Sequence, residues 1–487
     1  MTRDEEPIVA LATGALPSAI ALLRISGQTC HALVRTCLRK KGLSLVGQSW
    51  PAGQARLLDF VDPAEPEIIV DEIVVVCFKT PHSYTGQDSV ELSFHGSSYV
   101  VEKALSVLSS IGIRQAEAGE FTRRAFLNGK MDLTTAEGVQ ALIHSSSQQQ
   151  WLAAKQLVSG RLKVALTELS TQLIEALAWL EAAIDFPDEE ETSRLGRLEI
   201  MGKVAIVQNS LIALKNTYRD GKVAAQGLSV VLCGEPNAGK STMLNRLLNM
   251  ERSLVTEIPG TTRDYIEESC LIKGRLIRLI DTAGIRSSKD LIEKMGIERS
   301  LELANKADLL VFLVPADQAE EAEQKFSAWL KLVQKKNTTA GSSSLSETST
   351  EPSFLSSADS NSERFLKVLT KSDLLPAQIS TPPHWISLSC HTDQGLETFK
   401  EELARAVEKR TSRVEGNLFI GLERHFEGVK KALQSLDSFK KSWAEGAYEE
   451  ILAYELRQSA EQLTALIGRI DTDDVLEHIF KSFCIGK

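Results

Sequence analysis

The chain lacks several features that would send its reading elsewhere. It has no uninterrupted apolar run of about 18 residues, so no transmembrane helix is expected. It has no Cys-x-x-Cys pair; its seven cysteines (30, 37, 77, 233, 270, 390 and 484) are scattered and odd in number. That favours reduced thiols in a cytoplasmic protein over disulfides or a zinc site. Its first residues, Met1-Thr-Arg-Asp-Glu-Glu-Pro7, are acidic and polar, unlike a secretory signal. It also lacks an excess of positive charge. The formal net charge of −10 has the wrong sign for a protein that coats nucleic acid without specificity. An RNA partner would have to meet a local basic patch. Arg123-Arg124, Lys409-Arg410 with Arg413, and Lys430-Lys431 with Lys440-Lys441 are the candidates, each reading first as a solvated face.

What is present fits an ordinary globular chain. With 487 residues, 43% of them apolar, it has material for about three domains of ~150 residues. The first 125 or so residues mix extended runs (Pro7–Leu11, Ala19–Ile25, Glu72–Phe78, Ser89–Phe94) with a helical spacing over Ser98–Ser110. From about Ala125 to Ala183 the chain turns helical, up to a break at Phe186-Pro187 and the acidic run Asp188–Glu191. Near Gly221 strand and helix signals begin to alternate. Strands are expected at 228–234, 266–272, 275–281, 308–314, 366–370 and 385–389, and helices at 241–249, 291–304, 317–335 and 394–408. Such alternation argues for a mostly parallel sheet covered by helices on both faces. Within it, Asn337–Glu363 is Ser/Thr-rich and reads as a disordered surface loop. From Arg413 onward the chain reads as helical again. Phe419, Leu422, Phe426, Val429 and Leu433 form one apolar stripe; Leu452, Leu456, Leu463, Leu466 and Ile470 form another. The simplest arrangement packs the helices before and after the alternating region together, making that region an insertion. The expected divisions are 1–125, 126–220, 221–409 and 410–487.

The alternating region opens on a phosphate-binding pattern. Gly234-Glu-Pro-Asn-Ala-Gly239-Lys240-Ser241 lies between an expected strand and an expected helix, with the spacing G-x-x-x-x-G-K-S. Glycine lets backbone N–H groups converge on phosphate oxygens, Lys240 adds a point charge, and Ser241 offers a magnesium ligand. Three further motifs follow expected strands in order. Asp281-Thr282-Ala283-Gly284 suits a water-held magnesium and a γ-phosphate. Thr370-Lys371-Ser372-Asp373 places a carboxylate suited to the paired N–H donors of guanine, which adenine lacks. Ser389-Cys390-His391 stands where a backbone N–H supports the guanine carbonyl. Together they make the chain resemble GTPases of the translation-factor-related class, except that Thr370 replaces the usual asparagine. Ile285 follows Gly284, where Ras-like proteins have a water-orienting glutamine. Isoleucine cannot orient water, so that role must fall elsewhere.

Longer stretches sharpen the resemblance. Gly260-Thr-Thr-Arg-Asp264, Ile292-Glu293-Lys-Met-Gly-Ile-Glu-Arg299 and the ending Phe483-Cys484-Ile-Gly-Lys487 are similar to the MnmE/TrmE family of tRNA modification GTPases. So are Leu23-Arg24-Ile-Ser-Gly27, Tyr84-Thr-Gly86, Gly119-Glu-Phe-Thr-Arg-Arg-Ala-Phe-Leu-Asn128 and Ala183-Ile-Asp-Phe-Pro-Asp-Glu189. The resemblance covers the chain apart from 337–363. It implies an N-terminal α+β domain that binds tetrahydrofolate and dimerises, then a helical domain into which a Ras-like P-loop GTPase domain is inserted.

The resemblance also assigns residues. GTP contacts would come from Asn237, Ala238, Gly239, Lys240, Ser241 and Thr242, from the switch stretch Thr256, Glu257, Ile258, Pro259, Gly260, Thr261 and Thr262, and from the three motifs at 281–284, 370–373 and 389–391. Ser241 and Thr262 would hold Mg2+. Asn237, Thr256, Ile258 and Thr261 would hold K+, which can stabilise charge developing on the transferred phosphate. Glu293 would orient the catalytic water through a second water, filling the role that Ile285 leaves empty. Arg24, Glu91, Lys130 and Lys487 match folate-contacting positions, with 5,10-methylenetetrahydrofolate as the one-carbon donor and 5-formyltetrahydrofolate as its analogue. Thr13–Ile20 departs from the family in lacking its glycine cluster. Cys484 is either a plain tail thiol or a group placed beside the one-carbon unit. The implied activity is that of a homodimeric GTPase acting with an FAD-containing partner, MnmG/GidA in the family. Its substrate would be the wobble uridine of certain tRNAs, giving a 5-carboxymethylaminomethyl or aminomethyl uridine. A ribosome-assembly GTPase or a stand-alone folate-dependent transferase are the competing classes. The first lacks a Gly-x-x-Gly RNA loop in a basic domain here, and the second would need no nucleotide motifs.

Overall fold

The computed structural model describes residues 4–47, 51–185, 190–251, 267–280, 307–340, 364–374 and 381–468, with Phe480, Phe483 and Gly486. These residues form two compact units. One comprises residues 1–140, 158–170 and 463–487; the other comprises 141–157 and 171–462.

The first unit is built on an eight-stranded sheet. Its strands are β1 (Ile8–Leu11), β2 (Ile20–Ser26), β3 (Leu38–Lys40), β4 (Leu43–Ser44), β5 (Ala55–Asp62), β6 (Glu65–Phe78), β7 (Ser89–His95) and β8 (Arg114–Gln115). They lie in the order β4-β3-β5-β6-β7-β2-β1-β8. Every pairing is antiparallel except β1 with β8. In β7, Val90, Leu92 and Phe94 face the core while Glu91 and Ser93 face away, the period-two pattern of a sheet covered on one side. Two helices supply the cover, α1 (Cys30–Thr36) and α2 (Ser98–Ser110). α2 buries Val101, Ala104, Val107 and Leu108, one face at helical spacing, into the core of Leu23, Ile25, Phe60, Ile73 and Leu92. The expected helix over Ser98–Ser110 is present, as are the four expected strands, three with ends shifted by one residue and β6 beginning seven residues earlier than expected, at Glu65. β3, β4, β5 and β8 were not expected. The loop between β4 and β5 separates their apolar residues, and β5 carries charges at Arg56, Asp59 and Asp62.

Four helices follow: α3 (Glu120–Leu127), α4 (Leu133–His144), α5 (Gln148–Val158) and α6 (Arg161–Asp185). Phe480 and Phe483, near the end of the chain, pack with Phe126, Met131, Leu133 and Ala136.

The second unit holds α7 (Glu190–Asn216) and α8 (Tyr218–Gln226), then a six-stranded sheet. That sheet contains β9 (Leu228–Gly234), β10 (Glu267–Ile272), β11 (Arg275–Ile280), β12 (Leu309–Pro315), β13 (Phe365–Thr370) and β14 (Trp385–Ser387). Its order is β10-β11-β9-β12-β13-β14, parallel throughout except for the hairpin β10–β11. β12 is buried at all seven positions, as expected of a strand covered on both faces. Helices α9 (Lys240–Glu251), α10 (Ala322–Ala340) and α11 (Leu396–Val414) complete this domain. α10 enters the Ser/Thr-rich stretch as far as Ala340; the rest of that stretch, and the helix expected over 291–304, lie outside the described residues.

The return to the helical domain differs from expectation. Residues 415–422 form a loop, not helix, before α12 (Glu423–Ala444) and α13 (Glu449–Leu466). Gly416, at φ +75°, turns the chain out of α11 after Val414, and the segment that follows is closely packed. A side chain at Gly421 would lie 2.7 Å from the Gly221 carbonyl oxygen, and one at Gly221 would lie 2.3 Å from the Ile420 oxygen. The two crossings into and out of the inserted domain therefore press backbone on backbone. Helices from before and after the insertion also join directly. Gln208 on α7 donates to Asp437 on α12 at 2.6 Å, and Arg457 on α13 pairs with Glu181 on α6 at 2.9 Å.

Candidate functional site

β9, buried from Leu228 to Cys233, delivers Gly234 to the carboxyl edge of the parallel sheet. There β9 is flanked by β11 on one side and β12 on the other, so the chain's crossovers diverge at this point. In open α/β sheets that divergence makes the binding crevice. Gly234 has φ +141°, and a Cβ there would lie 2.3 Å from the Leu313 carbonyl oxygen of β12. Only glycine lets the loop leave β9 so close to its neighbour. Asn237 at φ +65° and Gly239 at φ +88° then curl the chain back to the start of α9. α9 carries no acidic residue in its first turn, so its positive end is free to meet an anion. The Lys240 ammonium donates to the carbonyl oxygens of Gly234, at 2.9 Å, and Glu235, at 2.8 Å. A converging loop, a helix N-terminus and a cation at its mouth fit a polyphosphate. Asn237, Ser241 and Thr242 are all exposed on this surface, and Ala238 is buried beneath it.

The base side is assembled from the next two parallel strands. β13 ends at Thr370, whose hydroxyl donates to the Ala238 carbonyl oxygen at 2.8 Å. Thr370 therefore ties this strand end to the phosphate loop, which explains how a hydroxyl residue serves where related GTPases carry asparagine. Lys371 turns at φ +59°, and Asp373 follows in a short 3-10 turn, Ser372–Leu374. Beyond β14, the Ser389 hydroxyl donates to the Asp373 carboxylate at 2.5 Å and accepts the N–H groups of His391 and Thr392, each at 3.2 Å. That hydroxyl bond holds the Asp373 carboxyl below the ordinary range. The carboxylate is thus ionised and exposed. The structure brings together 234–242, 370–373 and 389–391, which are far apart in sequence. Cys390 is half-buried, and burial pushes its thiol up.

Thr256, Glu257, Ile258, Pro259, Gly260, Thr261, Thr262, Asp281, Thr282, Ala283, Gly284 and Glu293 lie outside the described residues. Of the magnesium and potassium sets, only Ser241 and Asn237 are placed. Among the described residues no group of three or more His, Cys, Asp or Glu could hold a metal.

The other candidate residues gather in the first unit. Arg24 on β2 stands directly opposite Glu91 on β7, its Nε and NH2 donating to Oε1 at 3.0 and 2.9 Å. The Tyr84 ring lies 5.3 Å from the Arg24 guanidinium. Lys130 donates to the Pro81 carbonyl oxygen at 2.9 Å and runs its stem past Gly86. Arg24 and Lys130 therefore meet the same loop, 79–88, from two sides. Cys484 and Lys487 lie outside the described residues. Gly486 is described, and a Cβ on it would lie 2.4 Å from the Leu11 carbonyl oxygen. Leu11, on β1, pairs with Leu23, the neighbour of Arg24 on β2, so the tail reaches the strand beside β2. In the stretch that lacks the glycine cluster, Thr13 accepts the Leu22 N–H at 3.3 Å and the Ser18 N–H donates to Gly96 at 2.9 Å.

Sequence reasoning missed the scaffold behind this cluster. Arg124, 0% exposed, donates to the Glu6 carbonyl oxygen at 2.8 Å, to Gln87 at 3.1 Å and to Glu120 at 2.8 Å. It pins loop 79–88 from behind. A buried charge is taken out of reach of RNA, so Arg124 leaves the list of RNA-facing candidates, as does buried Arg410, which donates to the Asp308 carbonyl oxygen at 3.0 Å. An arginine within an apolar helical run, as in Phe121-Thr-Arg-Arg-Ala-Phe126, was the available signal.

The class follows from this geometry: a P-loop GTPase domain inserted in a helical domain, with an α+β domain preceding it in the sequence. The family follows from two further matches, with "GTP-binding protein TrmE N-terminus" over residues 7–130 and "MnmE helical domain" over residues 133–484. Proteins described as "tRNA modification GTPase MnmE" align along nearly the whole chain. The one from Chlorobium chlorochromatii is 35% identical over 99% of this chain and 98% of its own length. Those from Aquifex aeolicus and Thermotoga maritima are 36% and 34% identical, each over 99% of this chain and 100% of their own. The chain belongs to the MnmE family.

Proposed function

We propose that this protein hydrolyses GTP in a potassium-dependent way as a homodimer and, with an FAD-containing partner, modifies the wobble uridine of certain tRNAs using a tetrahydrofolate one-carbon unit. The reading is carried by one observation. The phosphate loop 234–241, the ionised Asp373 and the 389–391 loop converge on one edge of a parallel sheet in a chain of this family. That edge has a polyphosphate cradle at β9 and a carboxylate for the N–H donors of guanine at β13.

Within this scheme Lys240 holds the β- and γ-phosphates, Ser241 with Thr262 takes the magnesium ion, and Asn237 with Thr256, Ile258 and Thr261 takes potassium. A bound potassium ion supplies positive charge where an arginine finger would otherwise point. Ile285 offers water no hydrogen bond, so Glu293 orients the attacking water through a second one. In the first unit Arg24 and Lys130 suit the carboxylates of a folate tail, Glu91 suits the pterin N–H donors, and Lys487 closes the site from the C-terminus. The Gly486–Leu11 contact supports that placement of the tail.

Hydrolysis rates in potassium and in sodium test the cation site. A rate at least about ten-fold higher in potassium, lost in Asn237→Ala, is expected; equal rates in both salts sink the proposal. Mass analysis of wobble uridine in a deletion strain complemented with Lys487→Ala tests the folate tail, and full modification there removes that role.

A further inference from the structure

The loop that follows β14 is held in place from outside. Its backbone closes on itself: the Ser389 N–H donates to Gln394 at 2.9 Å, and the Leu396 N–H donates to Asp393 at 3.2 Å. Gly395, at φ +73°, passes so close to β14 that a Cβ would lie 1.9 Å from the Ser387 carbonyl oxygen. At the outer corner Asp393 sits at φ +62°, a conformation costly for a residue with a side chain. Its carboxylate is gripped there by Arg246. Arg246 Nε donates to Oδ1 at 2.8 Å, and NH2 contacts Oδ2, so the guanidinium forks onto both oxygens.

Arg246 belongs to α9, the helix that starts at the phosphate loop. Met243, Leu244 and Leu247 bury the other face of α9, leaving Arg246 to reach outward. A bidentate arginine fork fixes orientation as well as distance, which a single-point contact cannot do. The pair thus ties the loop expected to meet the base to the helix expected to meet the phosphates.

We infer that Arg246 and Asp393 are positioning residues for guanine selectivity, setting the 389–393 backbone at the height where its N–H groups meet the C6 carbonyl of the base. This rests on the assignment of Asp373 and the 389–391 loop to guanine. Neither residue touches the nucleotide; both act through the loop.

The test uses the full chain with magnesium and potassium, comparing GTP with 6-thioguanosine triphosphate, which keeps the N1–H and 2-amino donors expected to face Asp373 but carries sulfur, a poorer acceptor, in place of the C6 oxygen. Arg246→Ala should raise KM for GTP by roughly five-fold, with the change falling on KM rather than kcat. KM for the analogue should move less than about two-fold, so the preference for GTP over it shrinks. Asp393→Asn keeps a residue that tolerates positive φ and should reproduce the effect. Arg246→Lys should restore only part of it, because an ammonium cannot fork. A GTP-to-analogue preference unchanged in both Arg246→Ala and Asp393→Asn overturns the inference. Asp373→Asn, assayed with XTP and GTP alongside, separates the two levels. If it fails to shift preference toward XTP, the guanine assignment falls and the inference falls with it. If it shifts while the Arg246 variants leave discrimination unchanged, the positioning role alone is wrong.

Discussion

The two sheets of this molecule put chemistry in different places. In the parallel sheet the central strands β9 and β12 are buried almost throughout, β12 along its full length. Their side chains mostly pack, so the candidate site's polar groups stand at the strand ends, in backbone N–H groups, a lysine and a turn aspartate. In the antiparallel sheet one face is open, and chemistry sits in mid-strand. Arg24 faces Glu91 across β2 and β7, 67 residues away in sequence. The supporting charges differ as well. Behind the first unit's cluster, Arg124 and Glu120 are buried and paired with each other at 2.8 Å. Around the phosphate loop, Lys240 rests on its own loop's carbonyls, Asp373 is exposed, and the helix end is uncompensated. A paired, buried charge is scaffold. A partly exposed one at the mouth of the loop stands where a ligand's phosphates would meet it.

The largest effect that can sharpen this contrast is at Lys240. Lys240→Ala should cut GTP turnover by about 10²–10³ fold while leaving thermal stability nearly unchanged, measured by phosphate release and by melting. A large drop in stability with turnover retained would break the contrast, since Lys240 would then be scaffold.

Next comes Glu120, where the effect should fall on stability. Removing it strands the buried Arg124, which costs about 3–5 kcal/mol. Burial alone would raise the Glu120 carboxyl. Arg114, the Glu117 N–H and Arg124 overcome that and hold it at about 2, against an ordinary 4.5. A carboxyl depressed by folding contributes stability that is fully present above pH 4.5 and lost as pH falls toward 2. Acid unfolding of the wild type followed by circular dichroism should show this loss in that window, and Glu120→Gln should flatten it. Equal acid sensitivity in the variant would show that the network is not what ties this unit to pH.

The smallest effect is at the joint between strand end and loop. Thr370→Val removes the bond to the Ala238 carbonyl and should weaken GTP binding by roughly 1 kcal/mol, about five-fold in Kd. Thr370→Asn should bind within about two-fold of wild type. A Val variant that binds as well as the native protein would mean the strand end is held by packing alone.

The same contrast governs what could be read in advance. The parallel sheet was legible because four of its six strands, β9, β11, β13 and β14, run into a nucleotide motif. Gly234–Ser241, Thr370–Asp373 and Ser389–His391 follow their strands in order. β3, β4 and β5 escaped because the first two span only three and two residues, and β5 carries Arg56, Asp59 and Asp62 among its apolar residues without a strict period-two alternation. The loop over 415–422 escaped because its apolar residues keep helical spacing. The chain turns out of α11 at Gly416, φ +75°, and Gly421 then passes close to Gly221, two hundred residues away. Arg410 read as surface charge because it stands in the charged run Glu408-Lys-Arg410, and Arg124 because its only local signal was the apolar run around it.

By itself the sequence determined the class of chemistry, since a phosphate loop is made of local backbone conformation and its spacing is written in consecutive residues. It also carried the family. Only the tertiary structure decided which charges are scaffold and which are site. It paired Arg24 with Glu91, forked Arg246 onto Asp393, and brought Gly486 to Leu11. The physical reason is that burial and cross-strand pairing are set by segments far apart in the chain, and no local pattern encodes where they meet.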